Sequence, residues 1–183
     1  MTRQRLLPAL LLALGAMCTL PAAAQVPPQA ASHAEQAAMI QSSDPRLARM
    51  KKHVWDFWRI VYEGGHVDEA PKYMAPEYIQ HNPNLPSGRD TFMNFFRTAR
   101  PAKPVLDHMK MPVVSITAEG DRVVILSARK VRDRAKPEHV YYITWFDAFR
   151  IDDKGLIAEH WDPSEMWVDG KPPGAEFFTE WDR

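Results

Sequence analysis

Apolar residues recur along this chain with two different spacings, and the spacing changes near residue 110. From Leu47 to Val61 they stand three and four positions apart, which predicts one amphipathic helix. Pro45, at the first helical position, marks its start, and Gly64 follows its last turn. The first half of the chain is therefore predicted to be helical.

Two further helices are predicted after this one. A short helix covers residues 67–73, and a longer one begins near Gly88. Phe92, Phe95 and Phe96 form the apolar side of the longer helix. Aromatic residues at this spacing indicate a core face or the wall of a pocket.

The second half of the chain has the period of β-structure, with short turns between segments rich in β-branched and aromatic residues. The strand-like segments are residues 112–118, 122–130, 139–151 and 156–165. Helices followed by a meander of strands predict an α+β fold. We expect a cone-shaped barrel, in which a strongly curved, mostly antiparallel sheet wraps around three N-terminal helices. Such a cone encloses a cavity suited to a small molecule.

One predicted strand carries a charge on its apolar face. Alternate residues of a strand share a face, and here they are Ile143, Trp145, Asp147, Phe149 and Ile151. A carboxylate among aromatic rings loses hydration and needs a partner or a changed pKa. Asp147 is therefore a candidate general acid or base.

The following strand adds His160 and Asp162, which share a face with each other. A two-residue loop in the intervening Asp-Asp-Lys-Gly turn would place Asp147 opposite His160, and all three groups would converge. A one-residue bulge at Gly155 would change the parity, so that Trp161 faces Asp147. The sequence leaves both arrangements open.

A polar and aromatic stretch, residues 77–83, precedes a proline-rich loop. We expect His81 to lie where the helices meet the sheet, at the mouth of the pocket. The alternative is that the ring of His81 only donates hydrogen bonds to nearby backbone carbonyls.

The N-terminal residues predict export from the cytoplasm. Arg3 and Arg5 precede an apolar run over residues 6–20, and small residues follow up to Ala24. This pattern is typical of a secretory signal peptide over residues 1–24, which predicts a periplasmic or secreted protein without stable membrane insertion after cleavage. Residues 25–43, with two prolines and several alanines, predict a flexible linker.

Composition limits the classes of function. With 45% hydrophobic and 10% aromatic residues the chain can form a core, and a formal charge of zero disfavours nucleic acid as a partner. Cys18, the single cysteine, lies in the predicted signal peptide. His160 and Asp162 have no third metal ligand at a matching spacing, so no metal is expected. The charged run at residues 129–136 is interpreted as a solvated loop.

Several of these segments together resemble the SnoaL-like branch of the nuclear transport factor 2-like superfamily. They are YIQHNP at 78–83, the Gly88-Arg89 helix start, FDAFRIDDKGLIAEHWD at 146–162 and GAEFF near the end. The resemblance implies a cone-shaped α+β domain over residues 44–183, with an aromatic C-terminal tail. It also implies a fold that is often dimerised through its open sheet.

For function, the resemblance implies intramolecular aldol chemistry without cofactor or metal, in which a pocket carboxylate removes a proton next to a carbonyl. The leading hypothesis is accordingly a cyclase, lyase or isomerase for a small carbonyl compound. The alternative is a periplasmic protein that binds a small molecule without catalysis. The candidate catalytic residues are Asp162, Asp147, His160 and His81, and the candidate substrate-binding residues are Tyr78, Asn82, Phe95, Trp145, Phe149 and Trp161.

Overall fold

The computed structural model describes residues 29–133, 138, 140–163 and 177–179, with the backbone alone at 131–133, 141 and 177–179. Three predictions lie outside these residues: the signal peptide, the charged turn at 134–137 and most of the aromatic tail.

Helices occupy the first half of the described chain, as the apolar spacing predicts. They are α1 (His33–Met39), α2 (Pro45–Phe57), a π-helix (Trp58–Glu63), a 3₁₀ helix (Val67–Lys72) and α3 (Arg89–Ala99). Asp44 caps α2, because its carboxylate accepts hydrogen bonds from the backbone N–H groups of Arg46 and Leu47. None of the helices in the described ranges is long and apolar enough to cross a membrane.

The second half and one strand from between the 3₁₀ helix and α3 form one curved, mixed sheet, which confirms the α+β class. Its strands are β1 (Met74–Gln80), β2 (Val113–Glu119), β3 (Arg122–Asp133), β4 (Val140–Ile151), β5 (Ile157–Trp161) and β6 (Phe177–Thr179). Their order is β1-β5-β4-β3-β2, with β6 beside β3, so this sheet is not closed into a full barrel. The four strands predicted by alternation correspond to β2, β3, β4 and β5.

Strand β1 begins three residues earlier than the polar-aromatic stretch at 77–83. The sequence favours a turn at residues 74–76, because Pro76 lacks an N–H group. The structure places Pro76 inside β1, which is an edge strand paired in parallel with β5 alone. An edge strand tolerates proline, because one side of its backbone has no strand to bond.

The helices cover one face of the sheet with aromatic side chains. Phe57 and Trp58 approach Phe149 of β4 edge-on, with ring centroids 6.2 and 6.3 Å apart. Val123 and Ile125 of β3 are fully buried on the same face. The apolar face that alternation predicts for β4 is therefore the face that meets the helices.

The β4–β5 hairpin contains two irregularities. At the turn, Gly155 has a φ of 81°, and Ile151 pairs with Ile157. A register shift follows, so that Phe149 pairs with His160. Each irregularity places one extra residue in β5. Two extra residues leave the side chains of β5 on the same faces that a two-residue loop would give them. Asp147 and His160 thus share a face, as in the two-residue loop, but His160 lies opposite Phe149.

The segment predicted as a linker contains α1, and α1 docks on the rest of the chain. Ser32 and Glu35 form a reciprocal capping box at its start. Gln36 is 3% exposed and bonds both the carbonyl oxygen and the N–H group of Met109, at 3.2 and 2.8 Å. Lys51 of α2 donates to carbonyl oxygens at the C-terminal end of α1, those of Met39 and Gln41.

Candidate functional site

A cavity of about 520 Å³ lies between the helices and the sheet. This volume is in the range of small-molecule sites. Phe92 and Phe96 of α3 line it from the helical side, and Trp145 and Phe149 of β4 line it from the sheet. Its walls therefore combine aromatic rings with polar groups, some of which, such as Glu63, Arg100 and Lys103, lie outside the strands.

The central polar pair is Asp147 and His160. Oδ1 of Asp147 lies 3.1 Å from Nε2 of His160, and the two residues are only 3% and 8% exposed. Oδ2 of Asp147 is buried and has no hydrogen-bond partner among the described residues. Both side chains line the cavity. The structure thus brings together the two groups that the strand pattern left in alternative registers.

Arg129 is a functional candidate that the sequence interpretation missed. The run at 129–136 was expected in a solvated loop, but Arg129 lies on β3 with its side chain 12% exposed. Its guanidinium carbon stands 4.1 Å from the ring centroid of Trp145, and Nη2 is 4.0 Å from Oδ2 of Asp147. The sequence contained a signal for this placement. Alternate residues of β3 share its inner face, and these are Val123, Ile125, Ser127 and Arg129.

Asp162 is held by the amide of Asn82. Nδ2 of Asn82 lies 3.0 and 3.1 Å from the two carboxylate oxygens of Asp162. Oδ1 of Asn82 accepts a hydrogen bond of 2.9 Å from the backbone N–H of Asn84, which fixes the orientation of the amide. Both Asn82 and Asp162 line the cavity.

Tyr78 and Gln80 continue this polar cluster along β1. Nε2 of Gln80 donates a hydrogen bond of 3.0 Å to the hydroxyl oxygen of Tyr78. Burial raises the pKa of Tyr78 far above its usual value, and the nearby charges of Asp162 and Asp147 add to the effect. Tyr78 therefore remains a neutral phenol that can donate a hydrogen bond within the cavity.

His81 and Trp161 do not line the cavity, contrary to the sequence prediction. Gln80 and Asn82 face the cavity, so His81 between them faces the other side of the sheet; Trp161 lies between His160 and Asp162 in the same way.

On that outer surface the two rings stack, with centroids 4.4 Å apart and planes inclined by 5°. His81 also lies 2.9 Å from a carboxylate oxygen of Glu159. The hydrogen bonds from His81 and from Arg150 lower the pKa of Glu159. His81 therefore belongs to a surface ion-pair network.

The other predicted substrate-binding residues do line the cavity. They are Tyr78, Asn82, Phe95, Trp145 and Phe149. Phe95 is the most exposed of them, at 41%, and so lies at an open part of the wall.

The fold brings Asp147 close to His160 and Asp162, so these two residues have a possible third metal ligand that their spacing in the sequence did not show. Donor atoms of Asp147, His160 and Asp162 all lie within 4.8 Å of one another. The surroundings oppose a cation, because Arg129 is close to Asp147 and the Asn82 amide hydrogens already point at Asp162. A second group of this kind, His33, Asp107 and His108, lies away from the cavity.

A family model described as a SnoaL-like domain matches residues 53–160. Solved structures similar to this chain include TsrD from Streptomyces laurentii, with 23% identity over 67% of this chain and 90% of that chain and a TM-score of 0.41. A candidate polyketide cyclase from Acidithiobacillus ferrooxidans has 19% identity, coverages of 67% and 89%, and a TM-score of 0.45. RV0760c from Mycobacterium tuberculosis, in complex with estradiol-17beta-hemisuccinate, has 13% identity, coverages of 64% and 95%, and a TM-score of 0.40. Comparison with curated protein sequences gives no match.

Proposed function

Because the chain belongs to the SnoaL-like domain family, we propose that it is a cofactor-independent enzyme that removes a proton from the carbon next to a carbonyl group. The substrate is a small carbonyl compound with an apolar part, since aromatic side chains from the helices and from β4 line one portion of the cavity wall. The observation that carries the proposal is the buried Asp147, bonded to His160 through one oxygen and without a hydrogen-bond partner among the described residues at the other.

Asp147 acts as the base in this proposal. Its Oδ2 lone pair is not used by a hydrogen bond within the described chain, so it can accept the α-proton of a bound substrate. His160 holds the carboxylate by bonding Oδ1. Asp162, the other candidate base, has both oxygens turned to the Asn82 amide and is better suited to orienting that amide.

Tyr78 stabilises the negative charge that develops on the carbonyl oxygen. A neutral hydroxyl donor in a site of low polarity stabilises an enolate strongly, because little reorganisation is needed. His160 is not suited to this role, since its two ring nitrogens face Asp147 and Gln80. Tyr78 thus takes the role of enolate donor in this proposal, rather than His160 or His81, the candidate catalytic histidines of the sequence.

The enolate then has two outcomes that balance without a cofactor. Its α-carbon attacks a second carbonyl of the same substrate, which closes a ring, or, where a double bond is conjugated with the enolate, the γ-carbon takes the proton and the double bond moves. In both cases the proton on Asp147 returns to the product. The cavity needs to supply only the base, the hydroxyl donor and the shape that selects one outcome.

The first test is hydrogen exchange at a carbonyl α-carbon, which reports proton removal whatever the later steps are. An aromatic ketone such as 2-tetralone is incubated in D₂O, and loss of its α-proton signals is followed by NMR. We expect Asp147→Asn to lower the exchange rate by about 10² to 10⁴-fold, the usual contribution of a positioned base. Asp162→Asn should have a smaller effect.

Asp153→Asn is the matched control, because Asp153 is exposed in the hairpin turn, and it should exchange like the wild type. Equal rates in the wild type and Asp147→Asn would contradict the proposal. Binding of the ketone, seen by tryptophan fluorescence, without any exchange above solvent would instead support the non-catalytic binding protein.

Two further parts of the proposal concern the setting of the enzyme. The predicted signal peptide supports a periplasmic or secreted location.

The outer sheet surface exposes Ile79 and Phe146, which supports a homodimer through that face. Sedimentation analysis of the wild type and Phe146→Glu tests the dimer, which the charged variant should weaken.

A further inference from the structure

Gln80 makes hydrogen bonds at both ends of its side-chain amide. Its Oε1 atom lies 3.0 Å from the backbone N–H of Asn82. A backbone N–H can only donate, so the amide atom that it meets is the oxygen. The orientation of the Gln80 amide is therefore fixed by the main chain rather than by the groups in the cavity.

This orientation determines where His160 carries a proton. The same Oε1 atom lies 3.1 Å from Nδ1 of His160. Because Oε1 is an acceptor, Nδ1 must be the donor, and the neutral ring is protonated there. Nε2, 3.1 Å from Oδ1 of Asp147, bonds the carboxylate only when it carries the second proton of the ring, because a carboxylate oxygen can only accept.

The other end of the amide determines the role of Tyr78. Nε2 of Gln80 donates to the Tyr78 hydroxyl oxygen at 3.0 Å. An oxygen that accepts this bond keeps its own hydrogen for another partner. Tyr78 lines the cavity, so that hydrogen is available to a bound carbonyl oxygen.

We propose that Gln80 is a positioning residue that sets the His160 tautomer and the Tyr78 hydroxyl together. This inference rests on the proposed function for its catalytic consequence, but the tautomer itself does not depend on any reaction. Gln80 touches neither the base nor the substrate in this scheme. It acts through His160 on one side and through Tyr78 on the other.

The test is the tautomer of His160, read from the ¹⁵N shifts of its ring nitrogens. In the wild type we expect Nδ1 to show the protonated type of shift. In Gln80→Leu the acceptor is lost, and the neutral ring should be protonated at Nε2, facing Asp147. Gln80→Glu keeps an acceptor oxygen and should retain the proton on Nδ1.

Gln36→Leu is the matched control, since it also removes a buried amide but one that bonds Met109 instead. It should leave the His160 shifts as in the wild type. A wild-type neutral ring protonated at Nε2, or an unchanged tautomer in Gln80→Leu, would overturn the inference.

Ketone exchange then tests the catalytic consequence. Gln80→Leu should lower kcat by about 10-fold to 10³-fold, the upper figure being the usual cost of losing an oriented donor to the developing oxyanion, here the Tyr78 hydroxyl, with little change in KM. A changed tautomer with unchanged kcat would overturn the positioning role. Failure of the wild type to exchange would contradict the proposed function and leave the tautomer assignment standing.

Discussion

At the scale of single residues, the cavity depends on polar side chains whose partners are fixed by the backbone. Gln80 is oriented by the N–H of Asn82, and Asn82 by the N–H of Asn84. These amides in turn hold His160 and Asp162. Since backbone groups cannot exchange donor and acceptor roles, the acid and base groups stay in one arrangement when the cavity is empty.

Tyr78 gives a prediction for alkaline pH. Its pKa is raised in the folded protein, mainly by burial, so the folded state keeps the phenol neutral above about pH 10, where the unfolded chain ionises it. The stabilisation is complete below that pH and is lost as pH rises. One such group lowers the free energy of unfolding by up to about 1.4 kcal/mol per pH unit.

Urea unfolding between about pH 9 and pH 11 measures this effect. Tyr78→Phe should lose less stability over the range than the wild type, because it has no phenol to ionise. The same slope in both proteins would mean that Tyr78 ionises as readily in the fold as in the unfolded chain.

At the scale of elements, the β4–β5 hairpin determines which side chains enter the cavity. Asp152 accepts hydrogen bonds from the N–H groups of Lys154 and Leu156, and Gly155 takes a left-handed conformation between them. This turn and the register shift beyond it bring His160 and Asp162 to the face of Asp147. The geometry of the candidate site thus depends on a turn some distance along the strands.

Replacement of Gly155 tests how strongly the free energy of unfolding depends on the left-handed conformation in that turn. A Cβ at Gly155 would meet no atom within 4 Å, so a substitution acts through the φ of 81° alone. Gly155→Ala should lower the free energy of unfolding by about 1 kcal/mol, because a side chain disfavours the left-handed region. Gly155→Asn should cost less, since asparagine tolerates that region. Chemical denaturation measures both, and equal losses would argue against a conformational cause.

At the scale of the whole molecule, the helices and the sheet enclose the cavity, and α1 adds a contact outside it. Gln36 satisfies two backbone groups of Met109, and the backbone N–H of Ala31 donates to the carbonyl of Val113 at 2.7 Å. Lys51 bonds the carbonyls at the other end of α1, and loss of hydration lowers its pKa. Residues 31–41 therefore behave as part of the domain.

Gln36→Ala should destabilise this arrangement. The substitution leaves the N–H and C=O of Met109 without their partner, and an unsatisfied buried group costs about 1–3 kcal/mol. Gln41→Ala, at an exposed glutamine just beyond α1, is the control and should change stability little. Thermal or urea unfolding measures the difference, and equal stability of the two variants would mean that α1 does not contribute to the fold.

The sequence by itself determined the types of most elements and the odd position of Asp147, because periods of 3.6 and two are local properties of the chain. It could not determine the register between strands, since that depends on turn geometry and on a bulge without a strong local signal. The tertiary structure therefore decided that His160 shares a face with Asp147 and that Trp161 lies on the outer face, where it stacks on His81. It also decided the partners of Gln80, because a hydrogen bond between residues 80 positions apart depends on how distant strands align.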